Sequence, residues 1–151
     1  MVIRKVKDNE MNCAMTLVWK TFLKFEASDC TEYGISEFRN LISSFDILRK
    51  LDIYGAFEDD KLLGVIGVRN KNYISLFFVD EKYQGHGVGR KLFDFVCENN
   101  NDGYIDVHSS IYVKEIYEHM GFECVGELEE NNGMKYYPMR IEIDKKKRKN
   151  R

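Results

Sequence analysis

Three glycines stand at every second position in "YQGHGVGRKL": Gly85, Gly87 and Gly89. An apolar run, "YISLFFV", ends before them, and an apolar pattern of helical period, "VGRKLFDFVCE", begins as they end. A glycine-rich turn from strand to helix leaves backbone N–H groups unpaired at the positive end of the helix, which makes a site for an anion. Glycine suits such a turn because a Cβ would hold a phosphate oxygen off the main chain, and because some positions need φ > 0. The chemistry read from this stretch is phosphate or pyrophosphate binding.

The spacing narrows the ligand. A P-loop requires G-x-x-x-x-G-K-[ST], which "GHGVGRKL" does not supply. The dinucleotide fingerprint is G-x-G-x-x-G, and here the third glycine comes one residue early. Asp106, on the next strand-like run, falls near where a ribose-binding acid would stand, so a nicotinamide-dependent oxidoreductase is a competing reading. Against it, the runs before the loop read as an antiparallel meander, whereas the dinucleotide fold places its glycine loop after its first strand.

A third reading is a resemblance. "FFVDEKYQGHGVGRKLFDFV" resembles the acyl-CoA pyrophosphate signature of the GNAT superfamily of N-acetyltransferases, Q/R-x-x-G-x-G/A after a strand ending near a Val. The matching residues are Gln84, Gly85, His86, Gly87, Val88, Gly89 and Arg90. "SSIYVKEIYEHMGF" is similar to a later segment of that family, in which a Tyr precedes a Gly-Phe pair at the end of a short helix. Here these are Tyr117, Gly121 and Phe122. Residues 109–139 look most like a bacterial branch of small GNAT enzymes. The resemblance covers nearly the whole chain and does not extend to the identity of the substrate.

The resemblance implies attack of a primary amine on the thioester of acetyl-CoA, with no metal. It assigns the cofactor pyrophosphate to backbone N–H groups from Gln84 to Arg90, with the His86 ring left facing solvent. The pantetheine arm is expected to pair with the main chain near Phe77 to Val79, their side chains being core. Ser110 falls near the cofactor, where many relatives carry a longer Asn. A backbone N–H near Val79 would face the developing oxyanion. Tyr117 matches the family's general acid, since a phenol of pKa about 10 is protonated at neutral pH and can give the thiolate a proton. An ordinary ammonium must lose a proton before attack, at roughly 4.6 kcal/mol at pH 7, so a base is expected. Many relatives carry a Glu on the central strands, but "YISLFFV" has no acid. The open candidates are His108, whose ordinary pKa suits the task; Asp106, on the same strand face as His108; and Glu26, at the end of the first helix. In this fold "FEASDCTEYG" and "NNGMKYYPM" border the acceptor, where Glu26, Asp29, Glu32 and Tyr33 would suit a cationic amine. The same loop without a working acid or base would make a non-catalytic acyl-CoA-binding or sensor module.

The elements that must position these residues follow from period and punctuation. "VIRKVK" reads as a short strand. "MNCAMTLVWKTFLKF" reads as an amphipathic helix with Ala14, Met15, Val18 and Phe22 on one face. "EASDCTEYG" reads as a polar loop, and "ISEFRNLISSFDIL" as a second helix capped by Ser36. "DIYGAFEDDKLLGVIGVRNKNYISLFFVD" reads as three strands. After the glycine loop and its helix come a strand, "GYIDVHSS", a short helix ended by Gly121, and a hairpin turning at Asn132-Gly133. The order predicts an α+β (mixed α/β) domain. Its central sheet is mixed, mostly antiparallel and of about seven strands, with about four helices flanking it and a parallel crossover at the glycine loop. The resemblance makes that a GNAT-like fold.

Bulk composition bounds the rest. A length of 151 residues predicts one domain, over 1–144, followed by a basic tail, "KKKRKNR", over 145–151. Without the tail the balance is 17 basic against 25 acidic residues, or −8, which favours a cationic small substrate and also serves solubility. No aromatic residue interrupts the tail's charge, so it reads as a solvated end and no nucleic acid is expected as a partner. No run approaches the roughly 18 to 20 apolar residues of a membrane span. "MVIRKVKDNE" lacks the apolar core and cleavage site of a signal peptide. Cys13, Cys30, Cys97 and Cys124 show no metal or disulfide spacing, so a cytoplasmic protein with reduced thiols is expected. Exposed sheet edges make a homodimer an open possibility.

Overall fold

Alternating apolar residues over 51–79 build the centre of the molecule. The computed structural model describes residues 1–144, so the basic tail lies outside the described residues. Strands β2 (Leu51–Glu58), β3 (Lys61–Arg69) and β4 (Tyr73–Val79) form the antiparallel meander. It turns at Asp59 and at Asn70-Lys71, all three with positive φ. β1 (Val2–Lys5) adds to the β2 edge. Beyond β4 lie β5 (Tyr104–Ser109) and β8 (Met134–Glu142), which is flanked in turn by β6 (Glu123–Cys124) and β7 (Glu129–Asn131). The sheet order is β1-β2-β3-β4-β5-β8-β6, with β7 also paired to β8. Only β4 and β5 run parallel, joined by a crossover through α4 (Val88–Glu98).

Helices cover both faces. α1 (Met11–Phe25) buries Ala14, Met15, Leu17, Val18 and Phe22 against one face, together with Phe38 and Ile42 of α2 (Glu32–Ser43). α4 and α5 (Lys114–Met120) cover the other through Leu92, Phe93, Val96 and Tyr117. This is the expected α+β architecture with a mixed, mostly antiparallel sheet. It has eight strands and five α-helices, one of them the single turn α3 (Phe45–Leu48).

A bulge sets the stage for function. The β3–β4 register shifts between Gly67 and Val68, whose partners are Leu76 and Ile74, so Ser75 is skipped. Strict alternation would put Ile74, Leu76 and Phe78 on one face. The bulge divides them: Ile74 packs with the α4 layer, Leu76 and Phe78 with the α1–α2 layer. A bulge also bends its strand, and the β4–β5 ladder is only two pairs long, Tyr73–Asp106 and Ile74–Val107. Past Ile74 the two parallel strands diverge and the sheet splits.

Three local expectations are corrected. Ser36 lies inside α2; the cap is Thr31, whose Oγ1 accepts from the Gly34 N–H at 3.1 Å. The polar loop is therefore shorter than expected, and the helix breaks at Ser44, which caps α3 through the Ile47 N–H at 3.3 Å. The first strand of the last hairpin is interrupted between β6 and β7. Opposite the interruption β8 carries Pro138, which has no N–H to give the ladder; its carbonyl still accepts from the Val125 N–H at 2.8 Å. The hairpin turn itself is as expected, with Asn132 and Gly133 both at positive φ.

Candidate active site

The split between β4 and β5 opens into a cavity of about 300 Å³ on the glycine-loop side. Phe77 and Val79 of β4 form its floor, and Gln84, Gly85, Gly87, Val88, Gly89 and Arg90 curl over one end. Phe77 and Val79 are only half-buried, so their side chains reach the cavity and are not closed core. Gly85 and Gly87 sit at φ of +82° and +81°, and an added Cβ on either would meet nothing within 4 Å, so their φ requires glycine and their outer side is open space. The Gln84 side chain donates to the Val79 carbonyl at 3.1 Å and braces the loop against the strand. No side chain caps the start of α4, which leaves its first N–H groups at the loop. An open backbone cradle at a helix start, continuous with an unpaired strand edge, fits a pyrophosphate carrying an extended arm. His86 is exposed and lies outside the lining. Phe25 and Tyr112, stacked at 5.3 Å, and Ile116 complete the walls; they are scattered apolar residues without a motif to mark them in sequence.

Tyr117 enters from α5. The motif that follows it is a helix terminator: Gly121 takes φ of +107°, the Gly121 N–H donates to the Glu118 carbonyl, and the Phe122 N–H donates back to the Tyr117 carbonyl, each at 3.0 Å. Phe122 is buried and packs on the Tyr117 ring at 5.2 Å, with Phe77 at 6.1 Å on another side. The Tyr-x-x-x-Gly-Phe spacing thus fixes one tyrosine orientation. Tyr117 is 6% exposed, and burial pushes its phenol far above the ordinary range, with Glu26 and Tyr73 adding to the rise.

A second cavity of about 570 Å³ lies on the other side of Tyr117. The two cavities share Glu26, Phe77, Phe78, Val113 and Tyr117, so among the described residues the only titratable side chains in their common wall are Glu26 and Tyr117. Burial pushes the Glu26 carboxyl up; Ser110 pulls it partly back, and Asp29 adds to the rise. Ser110 lines the second cavity and not the first, and its Oγ is buried without a hydrogen bond of ordinary geometry.

The other expected residues fall in different places. His108 is exposed on β5, lines the second cavity, and stacks on Tyr136 at 4.1 Å; burial of its ring lowers its pKa against the opposing pull of Glu129 and Asp106. Asp106 is held by Arg140 through two hydrogen bonds of 2.6 and 2.9 Å and lines neither cavity, so the ribose acid of the dinucleotide reading is already engaged. Tyr33 is 59% exposed and lines neither cavity; Glu37, which lines the second, raises the pKa of its phenol. Asp29 and Glu32 are exposed. Tyr73 and Tyr136, which the sequence did not single out, face the second cavity with His108. Among the described residues no cluster of three or more His, Cys, Asp or Glu could hold a metal ion, and no disulfide joins the cysteines.

Comparison with known proteins places the fold and the family. Solved structures of low identity share the fold. A GCN5-related N-acetyltransferase from Rhodopseudomonas palustris superposes with a TM-score of 0.80 at 15% identity, covering 93% of this chain and 94% of that one. The PaiA N-acetyltransferase from Thermoplasma acidophilum, solved with coenzyme A, gives 0.73 at 16%, covering 93% and 98%. An aminoglycoside 6′-N-acetyltransferase from Enterococcus faecium gives 0.67 at 15%, covering 95% and 98%. No curated protein matches the chain by sequence. The family model for the acetyltransferase (GNAT) domain matches residues 26–143, from the Glu26 that faces Tyr117 to the end of β8, and the chain belongs to the GNAT acetyltransferase family.

Proposed function

We propose that this chain moves an acetyl group from acetyl-CoA to a primary amine by direct attack on the thioester. The observation that carries the reading is the shared wall: two cavities meet where, among the described residues, Glu26 and Tyr117 are the only titratable groups. Bound acetyl-CoA supplies the activated acetyl group. The backbone of the glycine loop and the start of α4 hold its pyrophosphate, and the open edge of β4 aligns its arm toward Tyr117.

Glu26 takes a proton from the incoming ammonium, directly or through a water. Its raised pKa makes it a stronger base than an ordinary carboxylate. Tyr117 gives its proton to the sulfur as the C–N bond forms and the C–S bond breaks. Its raised pKa keeps it protonated throughout the neutral range and makes the transient phenolate eager to be reprotonated. Glu26 passes its first proton to solvent and takes the second from the nitrogen as the C–N bond forms; transfer of that second proton to the Tyr117 phenolate across the wall resets both groups, with one proton released overall. His108 and Asp106 are weaker choices as base, since one is stacked away from the wall and the other is paired with Arg140. A binding-only module would lack an acid–base pair at the junction, and Glu26, the residue that follows α1, supplies the carboxylate that β4 does not.

The test is Tyr117→Phe. The expected result is a turnover at least about 100-fold lower, the scale of one general acid, with acetyl-CoA affinity unchanged by calorimetry. Unchanged turnover would remove Tyr117 from the chemistry.

A further inference from the structure

We propose that the acceptor is a primary arylalkylamine: one ammonium on a short chain that carries a flat aromatic group and no carboxylate. This rests on the acetyltransferase reading and deepens it.

The second cavity is large enough for a compact organic molecule, and part of its lining is a group of three rings. Tyr73 of β4, His108 of β5 and Tyr136 of β8 stand side by side on three neighbouring strands. His108 lies flat on Tyr136, at 4.1 Å and 11° between planes, and edge-on to Tyr73, at 5.3 Å and 90°. All three rings remain partly open to the cavity, and His108 is exposed outright. Such a surface favours another flat ring, by offset stacking and by removal of apolar area from water.

Charge narrows the class further. Glu26 meets the ammonium at the junction. Among the described residues the only other carboxylate in the lining is Glu37, which is matched in number by Lys135. A sugar carrying several ammonium groups would find too few acids. A free amino acid would bring its carboxylate beside its amine, and the shared wall offers it no cation, only Glu26. The acceptor that matches carries one cation at the junction and a flat ring against Tyr73, His108 and Tyr136.

The test measures CoA release from acetyl-CoA by the full chain with 2-phenylethylamine, 2-cyclohexylethylamine, L-phenylalanine and kanamycin, and acetyl-CoA binding by calorimetry in parallel. For 2-phenylethylamine, kcat/KM is expected to exceed that of L-phenylalanine and of kanamycin by about 100-fold, and that of the non-planar analogue by about tenfold. His108→Ala and Tyr136→Ala should each raise KM for 2-phenylethylamine about tenfold, on the scale of one lost stacking contact, and leave KM for acetyl-CoA in place. Equal transfer to kanamycin or L-phenylalanine, no transfer to 2-phenylethylamine despite acetyl-CoA binding, or ring deletions without effect on its KM would each overturn the acceptor class while leaving the donor reading intact. Failure to bind acetyl-CoA would instead bring down the acetyltransferase reading, and the acceptor class with it.

Discussion

In the proposed reaction Glu26 and Tyr117 act as a pair, and burial moves the pKa of both in the same direction. A raised phenol is a donor that stays loaded; a raised carboxyl is a better base. The sign for Glu26 can be followed in two ways. Its folded pKa lies above its unfolded one, so the folded chain holds that proton more tightly, and stability falls as pH rises from the ordinary carboxylate range through the folded value. Glu26→Gln removes the titration, so the variant's melting temperature should gain on the parent as pH rises through that window. Its kcat/KM should drop and lose the acidic limb of the pH profile, which in the parent is expected above the ordinary carboxylate range. A variant with an unchanged profile would place the base elsewhere. Each residue was visible in the sequence, Tyr117 through the Gly121-Phe122 pair and Glu26 as one of three candidate bases. Their meeting was not. It is made by α1 reaching over one face of the sheet and α5 over the other, at a split that a bulge at Ser75 helps to open.

At the scale of elements, the unit β4–loop–α4 was the most legible, because strand alternation, glycine spacing and helical period all point to one turn. α4 starts at Val88 and ends at Glu98, where the apolar pattern placed it. Gly87→Ala tests the loop. The new methyl has room but must hold φ near +81°, at about 1–2 kcal/mol of strain, or a few degrees in melting temperature for a chain of this size. Because Gly87 lines the cavity and its turn depends on that φ, acetyl-CoA affinity should fall by tenfold or more on calorimetry; an unchanged affinity would release the loop from cofactor binding. The N-terminus of α2 was least legible. Gly34 reads as a loop residue, yet it lies in the first turn of a helix, where a Cβ would run into the Gly133 carbonyl. That carbonyl accepts from the Thr31 N–H at 3.0 Å. The reason for a glycine there is a contact from the far end of the chain, which no local window contains.

Across the whole molecule, the architecture was legible because element order restricts topology: a meander, one crossover and a final hairpin leave little choice of sheet order. The extra strand and the extra helical turn were not, since Pro138 and Ser44 act through backbone hydrogen bonding that leaves the hydrophobic pattern unchanged. No helix among the described residues is long and apolar enough to cross a membrane. The fold thus brings two cavities together at Tyr117, of about 300 Å³ and about 570 Å³, which the proposed reaction assigns to acetyl-CoA and to the acceptor. Thermal melting in parallel with acetyl-CoA, free CoA and NADH tests the first cavity most directly. With each ligand at about 100 times its dissociation constant, a true ligand adds roughly 2.7 kcal/mol, or about 5–10 °C for a domain of this size. A rise with both CoA species and none with NADH is the expected result. No rise with either CoA species, or a rise with NADH alone, would contradict it.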